Sequence, residues 1–267
     1  MYIISNQDMV KFVQEPARDI PVKDEVDVCR GDKVWRSSFS HDDEIVQPGY
    51  HRLFLDTYKI WVEQTVTDRV GLYRFTYTQD GLAKVLVNLG GHIATSTLLN
   101  AHVTKVNDTE ISGYFDTAGR VWGGVDVAKV YFVVQFDKPF VSYGTWENRK
   151  NTIQKNNLSR EGEGIGAYVQ FAKGSKVQAK VSTSYISPEQ AEVTMTRELG
   201  KHSSVEVTKQ AAADVWNQLL NRVLVEGGTE EDMKTFYSCM FRANLFSHKF
   251  YEEKEDGSPY YYRDRKS

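Results

Sequence analysis

The sequence predicts a mainly-β protein, an antiparallel β-sandwich followed by α-helices. Three observations carry this expectation. The stretch Phe39 to Tyr77, FSHDDEIVQPGYHRLFLDTYKIWVEQTVTDRVGLYRFTY, sets alternating segments around tight turns. Short strand-like runs separated by turn residues then continue to about Tyr185, at the spacing of a sandwich or barrel. At Ser187 the apolar period changes from two to between three and four, so helices follow the strands as a separate module.

Residues 1 to 38 are mixed: Glu15-Pro16 and Ile20-Pro21 interrupt them, and Val26, Val28 and Val34 hint at short strands. Gln47-Pro48-Gly49 supplies a fixed φ and then a cheap positive φ, so the chain reverses before Tyr50. Leu53 and Leu55 alternate with Arg52 and Phe54, and Ile60, Val62 and Gln64 alternate with Lys59, Trp61 and Glu63, with Asp56-Thr57 as a short link. With Val70 to Tyr77 this makes an antiparallel meander with one face on a core. Ala83 to Leu89 is a continuous apolar strand. His102 to Val106, Thr109 to Asp116, Val127 to Asp137 and Phe140 to Tyr143 are further strands, with Asn107-Asp108, Gly119 and Asp137-Lys138-Pro139 as breakers. The polar run Trp146 to Gly166 reads as an exposed loop. Ala167 to Phe171 and Val177 to Tyr185 read as a closing hairpin around Gly174-Ser175.

The helices announce their starts. Ser187 at the N-cap, Pro188 at N1 and Gln190 at N3 can satisfy first-turn amides. A second helix is expected from Ser204 to Glu226, with Ala212, Val215, Trp216, Leu219 and Val223 on one face and Gly227-Gly228 ending it. Thr229 caps a third, with Asp232 at N3 and an apolar face through Phe236, Met240, Ala243 and Phe250 that takes in Cys239.

Composition narrows the function classes. The 267 residues are 40% hydrophobic, 26% charged and 12% aromatic, a globular mix long enough for one large β unit or two domains. A net charge of -3 without a basic stripe argues against nucleic acid as a partner. No run approaches the ~20 apolar residues of a membrane span, and Met1 to Gln14 shows no signal-peptide pattern. Cys29 and Cys239 read as free buried thiols. Dinucleotide, P-loop and nucleophile-elbow motifs are absent, and the six histidines form no zinc-like pair. His41-Asp42-Asp43-Glu44 does bunch carboxylates beside an imidazole. Pyranose faces stack on indole rings; Trp216 lies on a helical apolar face and reads as core, whereas Trp35 and Trp122 lie beside turns and are the surface candidates. Trp61 falls on the face opposite Ile60 and Val62.

The Phe39 to Tyr77 stretch, followed in order by YFVVQFDKPF, VQAKVSTSYISPEQAEVTM and VWNQLLNRVLVEGGTEEDMKTFYSCMFRANLF, resembles glycoside hydrolase family 92, the calcium-dependent exo-acting α-mannosidases, over roughly residues 33 to 262. The resemblance implies a sandwich of the galactose-mutarotase or supersandwich kind over residues 1–186. Residues 187–267 would then be a helical linker and the start of a helical (α/α) barrel. It implies a hydrolase resembling α-1,2-mannosidase that inverts α-mannosides of glycans, exported to periplasm, cell surface or medium. The glycine-rich, substrate-facing segment that precedes Phe39 in those relatives has no counterpart in Met1 to Val34, and the acid, the base and the calcium ligands belong to the barrel beyond the position of Tyr262.

The expectation is therefore a fragment that walls the sugar site and braces the barrel, with mannose-containing glycans and the missing barrel as partners. No catalytic residue carries over. Calcium belongs to the complete enzyme, and no metal is expected on this piece. Trp35, His41 and Trp122 are the substrate-facing candidates, His41 mainly through the position of FSH in the family. The alternative is a stand-alone carbohydrate-binding or interaction module without catalysis.

Overall fold

The computed structural model describes residues 11–13, 37–79, 83–89, 92–93, 96–121, 124–147, 152–172, 176–200, 204–245 and 249–261. Its elements in chain order are β1 (Lys11–Val13), β2 (Ile45–Gln47), β3 (Tyr50–Leu55), β4 (Ile60–Val66), β5 (Val70–Tyr77), β6 (Ala83–Asn88), β7 (His92–Ile93) and β8 (Ser96–Asn107). There follow β9 (Glu110–Val121), β10 (Gly124–Phe136), β11 (Ser142–Glu147), β12 (Thr152–Lys155), β13 (Ser159–Gly162), β14 (Ile165–Phe171) and β15 (Lys176–Ser184). Three helices come next, α1 (Pro188–Leu199), α2 (Val205–Leu220) and α3 (Glu230–Asn244), and then β16 (Tyr251–Glu253) and β17 (Pro259–Tyr261).

Antiparallel pairing arranges the strands into two large sheets. One has the order β13-β8-β9-β10-β15-β5-β4-β3-β2, with β7 on β8; the other runs β1-β6-β14-β11-β12. Their inner faces share one core: Phe75, Phe115, Phe132 and Val134 from the larger sheet meet Val85, Val87, Val169 and Phe171 from the smaller, each at most 1% exposed. The period of two explains the meander, because Leu55 and Val62 turn inward while Tyr50, Glu63 and Arg74 turn out. Gly49 fits its turn with φ +80°, and a Cβ there would lie 2.5 Å from the Ala212 side chain of α2.

The outer face of the larger sheet is covered by helices at its centre. Ala191, Met195 and Leu199 of α1 pack on Val70 and Val133. Val205 of α2 packs on Tyr50 and Leu72. Ser187 and Thr229 cap as expected: Ser187 Oγ accepts from the Gln190 amide at 3.1 Å, and Thr229 and Asp232 make a reciprocal capping box. Ser204, expected as the first residue of the second helix, is its N-cap, with Oγ accepting from the Val207 amide.

Several expectations need correction. Trp146 to Gly166 is not a loop: it holds the end of β11, β12, β13 and the start of β14. Its polarity reflects the alternating, half-exposed burial of the edge strand β13, and Gly166 is a packing residue, since a Cβ there would come within 2.0 Å of the Trp146 ring. β14 and β15 are not a hairpin, because they lie in different sheets. Gly119 does not break β9 but pairs with Asp126. Four residues, not two, join β3 to β4, with Lys59 at φ 55° and Tyr58 facing the core.

The helical end also differs. α2 stops at Leu220 and α3 at Asn244, earlier than Glu226 and Phe250. No residue of α3 is buried, and Cys239 is an exposed free thiol rather than a buried one; Cys29 lies outside the described residues. The hairpin β16–β17 was not anticipated, although Asp256-Gly257, with Gly257 at φ +82°, is a turn signal between aromatic runs. Trp216 is 2% exposed, as expected, with the ring of Phe241 4.5 Å away. Among the described residues, no helix is long and apolar enough to cross a membrane.

Candidate functional site

Of the three sequence candidates, Trp35 and Trp122 lie outside the described residues. His41 sits in a single 3-10 turn, His41–Asp43, capped by Ser40, whose Oγ accepts from the Asp42 amide at 3.2 Å. Its side chain is 86% exposed, and its ring meets that of Phe39 edge-on at 5.3 Å.

The turn brings His41 to partners that sequence reading passed over. Glu44 receives His41 Nδ1 at 2.6 Å and His51 Nε2 at 2.7 Å, one on each oxygen. Gln64 Nε2 in turn donates to His51 Nδ1 at 2.8 Å. That bond makes Nε2 the protonated ring nitrogen of neutral His51, which donates to Glu44. The two imidazoles hold the Glu44 carboxyl below its ordinary value, the His51 bond being the larger cause. The signal was present in the sequence: in an antiparallel meander His51 falls opposite Gln64, and the pair is in register. Chemically this is a fixed relay that presents one exposed imidazole, suited to hydrogen-bonding a hydroxyl.

A second constellation lies where β15 becomes α1. Glu252 of the terminal hairpin is 1% exposed. Its Oε2 accepts from Ser184 Oγ at 2.6 Å and its Oε1 from the Tyr185 amide at 2.7 Å. Arg69, in the β4–β5 turn, reaches within 4.0 Å of the same carboxylate and donates to the carbonyls of Lys249 and Tyr251. Beside it a cleft of about 240 Å³ is lined by Thr67, Asp68, Arg197, Glu198, Thr208 and Val215 among others. Burial pushes the Glu198 carboxyl above its ordinary value, against the lowering by Thr67 Oγ and the Arg69 amide.

The remaining indoles are not open platforms. Trp61 lies beside Phe54, ring centroids 5.0 Å apart, with the Arg52 guanidinium 4.7 Å over it. Trp146 is 3% exposed, packed with Leu86 and Tyr168. Calcium needs six to eight oxygen ligands. Among the described residues no group of three His, Cys, Asp or Glu side chains is arranged to hold a metal ion. The described residues do not fit calcium.

Two stacked antiparallel sheets joined at one corner to a helical stretch define a β-sandwich module leading into a helical domain. The chain's similarities name its kind. Residues 4–184 match the glycosyl hydrolase family 92 N-terminal domain, and residues 190–267 match the family 92 catalytic domain. The chain belongs to glycosyl hydrolase family 92.

Solved structures agree. A family GH92 inverting mannosidase from Bacteroides thetaiotaomicron VPI-5482 is 25% identical with a TM-score of 0.79, over 96% of this chain and 32% of that one. A family GH92 alpha-mannosidase from Bacteroides thetaiotaomicron is 20% identical with a TM-score of 0.75, over 95% of this chain and 35% of that one, a likeness of fold. The chain thus spans about a third of the length of these structures. No curated protein matches it significantly.

Proposed function

We propose that this polypeptide supplies the N-terminal sandwich and the opening helices of an inverting α-mannosidase acting on glycans. Residues 1–186 form the sandwich domain, of the supersandwich kind, and residues 187–267 begin the helical barrel. Its part is to wall one side of the sugar site and brace the barrel, with Trp35, His41 and Trp122 facing substrate. Calcium serves the complete enzyme, which works in the periplasm, at the cell surface or outside the cell.

The observation that supports this reading is the order of the two family matches across the β15–α1 corner. The uncovered helices agree with it, since Val215 of α2 is 50% exposed and α3 buries none of its residues. Such apolar surface marks an unmade interface, and the rest of the barrel is the occupant proposed for it.

Inversion requires an acid and a base carboxyl ~6.5 to 9.5 Å apart, leaving room for water. The prominent carboxylates here are otherwise engaged: Glu44 by two imidazoles, Glu63 by Arg74 and Tyr50, and Glu252 by Ser184 and Tyr185. Purified residues 1–267, given calcium and an α-mannoside, are expected to release no mannose. Calcium-dependent turnover that disappears on changing a carboxylate of this stretch, such as Glu44→Gln, would overturn the proposal.

A further inference from the structure

The terminal hairpin makes a closed circuit with the corner of the fold. Ser184 Oγ donates to Glu252 and accepts from the amides of Ile186 and Ser187 at 2.9 and 3.3 Å. Ser187 Oγ caps α1 at the Gln190 amide, and Gln190 Nε2 donates to the Glu253 carbonyl at 2.7 Å. The path runs from the hairpin, through the end of β15 and the first turn of α1, and back to the hairpin. The Ser187 amide, which a capping box would give to the Gln190 side chain, donates to Ser184 Oγ instead.

A second set of contacts closes around the first. Arg69 donates through its backbone amide to Glu198 of α1 and through its guanidinium to the Lys249 and Tyr251 carbonyls. Arg197 pairs with Glu253 and donates to the Lys254 carbonyl, and Lys249 pairs with Asp68. Partners up to 182 residues apart in sequence meet here.

A carboxylate 1% exposed is a costly way to attach a hairpin when an apolar side chain could fill the space. What the carboxylate adds is direction, since each oxygen is fixed by a separate donor, Ser184 at the end of β15 and Tyr185 just after it. The corner it holds lies between the ends of the two family matches, residues 184 and 190.

We propose that Glu252 is a positioning residue, which pins the 249–261 hairpin to the Ser184–Gln190 corner and so sets the angle at which the helical stretch leaves the sandwich. The proposal rests on family membership and geometry, not on the mannosidase reading, so calcium-dependent turnover by this chain, which would overturn that reading, leaves it standing. Amide exchange on the full 267-residue chain tests it, comparing native protein with Glu252→Gln and Ser184→Ala. Hydrogen bonds to charged groups imply about a 10- to 100-fold loss of protection in β16 and the first turn of α1 for Glu252→Gln. A smaller loss in the same places is expected for Ser184→Ala, with β5 and β10 unchanged. The double variant should lose less than the sum of the two single ones, because the Ser184–Glu252 bond is common to both. Unchanged protection in the hairpin, or an equal loss across β5, β10 and β16, would overturn it. Should Glu252→Gln fail to fold, Ser184→Ala decides by the same two outcomes.

Discussion

The two ends of this chain solve the problem of burying apolar surface to different degrees. In the sandwich, Phe75, Phe115, Phe132 and Phe171 are at most 1% exposed. In the helical stretch, α1 buries five residues and α2 four, whereas α3 buries none of its fifteen. Helices of this length are marginal in water unless a face is packed. The core between the sheets is closed within the described residues, and on the proposed reading α3 is one side of an interface whose other side is the remaining barrel.

The largest expected effect sharpens that contrast from the sandwich side. Phe132→Ala removes a fully buried ring and should cost about 3 to 5 kcal/mol in chemical denaturation. Gly49→Ala comes next, at about 1 to 3 kcal/mol, since it places a Cβ at positive φ and against Ala212. That cost includes loosening α2 from the sheet, visible as a loss of helix signal.

Glu198→Gln probes the seam through pH. Burial raises the Glu198 carboxyl above its ordinary 4.5, so the folded state holds the proton more tightly than the unfolded one. Ionised Glu198 thus opposes folding above its folded pKa, and stability is gained as pH falls through that value toward 4.5. The glutamine variant should lose no stability near neutral pH and should lack this gain. A variant as pH-responsive as the native chain would contradict the assignment. The smallest effect is Phe236→Ala on α3, 37% exposed, expected to change stability by no more than about 0.5 kcal/mol.

What could be read from the sequence divides along the same line. The strands of the meander, the apolar β6 and the caps at Ser187 and Thr229 follow local rules of period and capping, and so they are legible in the sequence. The strands between Trp146 and Gly166 did not, because pairing at a sheet edge overrode their polar composition. The ends of α2 and α3 were overextended because an apolar stripe at Val223 and Phe250 implies a helix that the described chain does not continue. At the candidate sites the residue types were visible and their meetings were not. His41 was picked out without His51 and Gln64, and Glu252 finds Ser184 from 68 positions away.

The difference in packing between the sandwich and the helical end is read by equilibrium denaturation of the 267-residue chain, followed at two places. Amide exchange resolved to α3 and to β10 is read at each denaturant concentration. α3, which buries no residue, should open far below the midpoint at which β10 opens, in a separate step. A single transition with α3 and β10 opening together would contradict it.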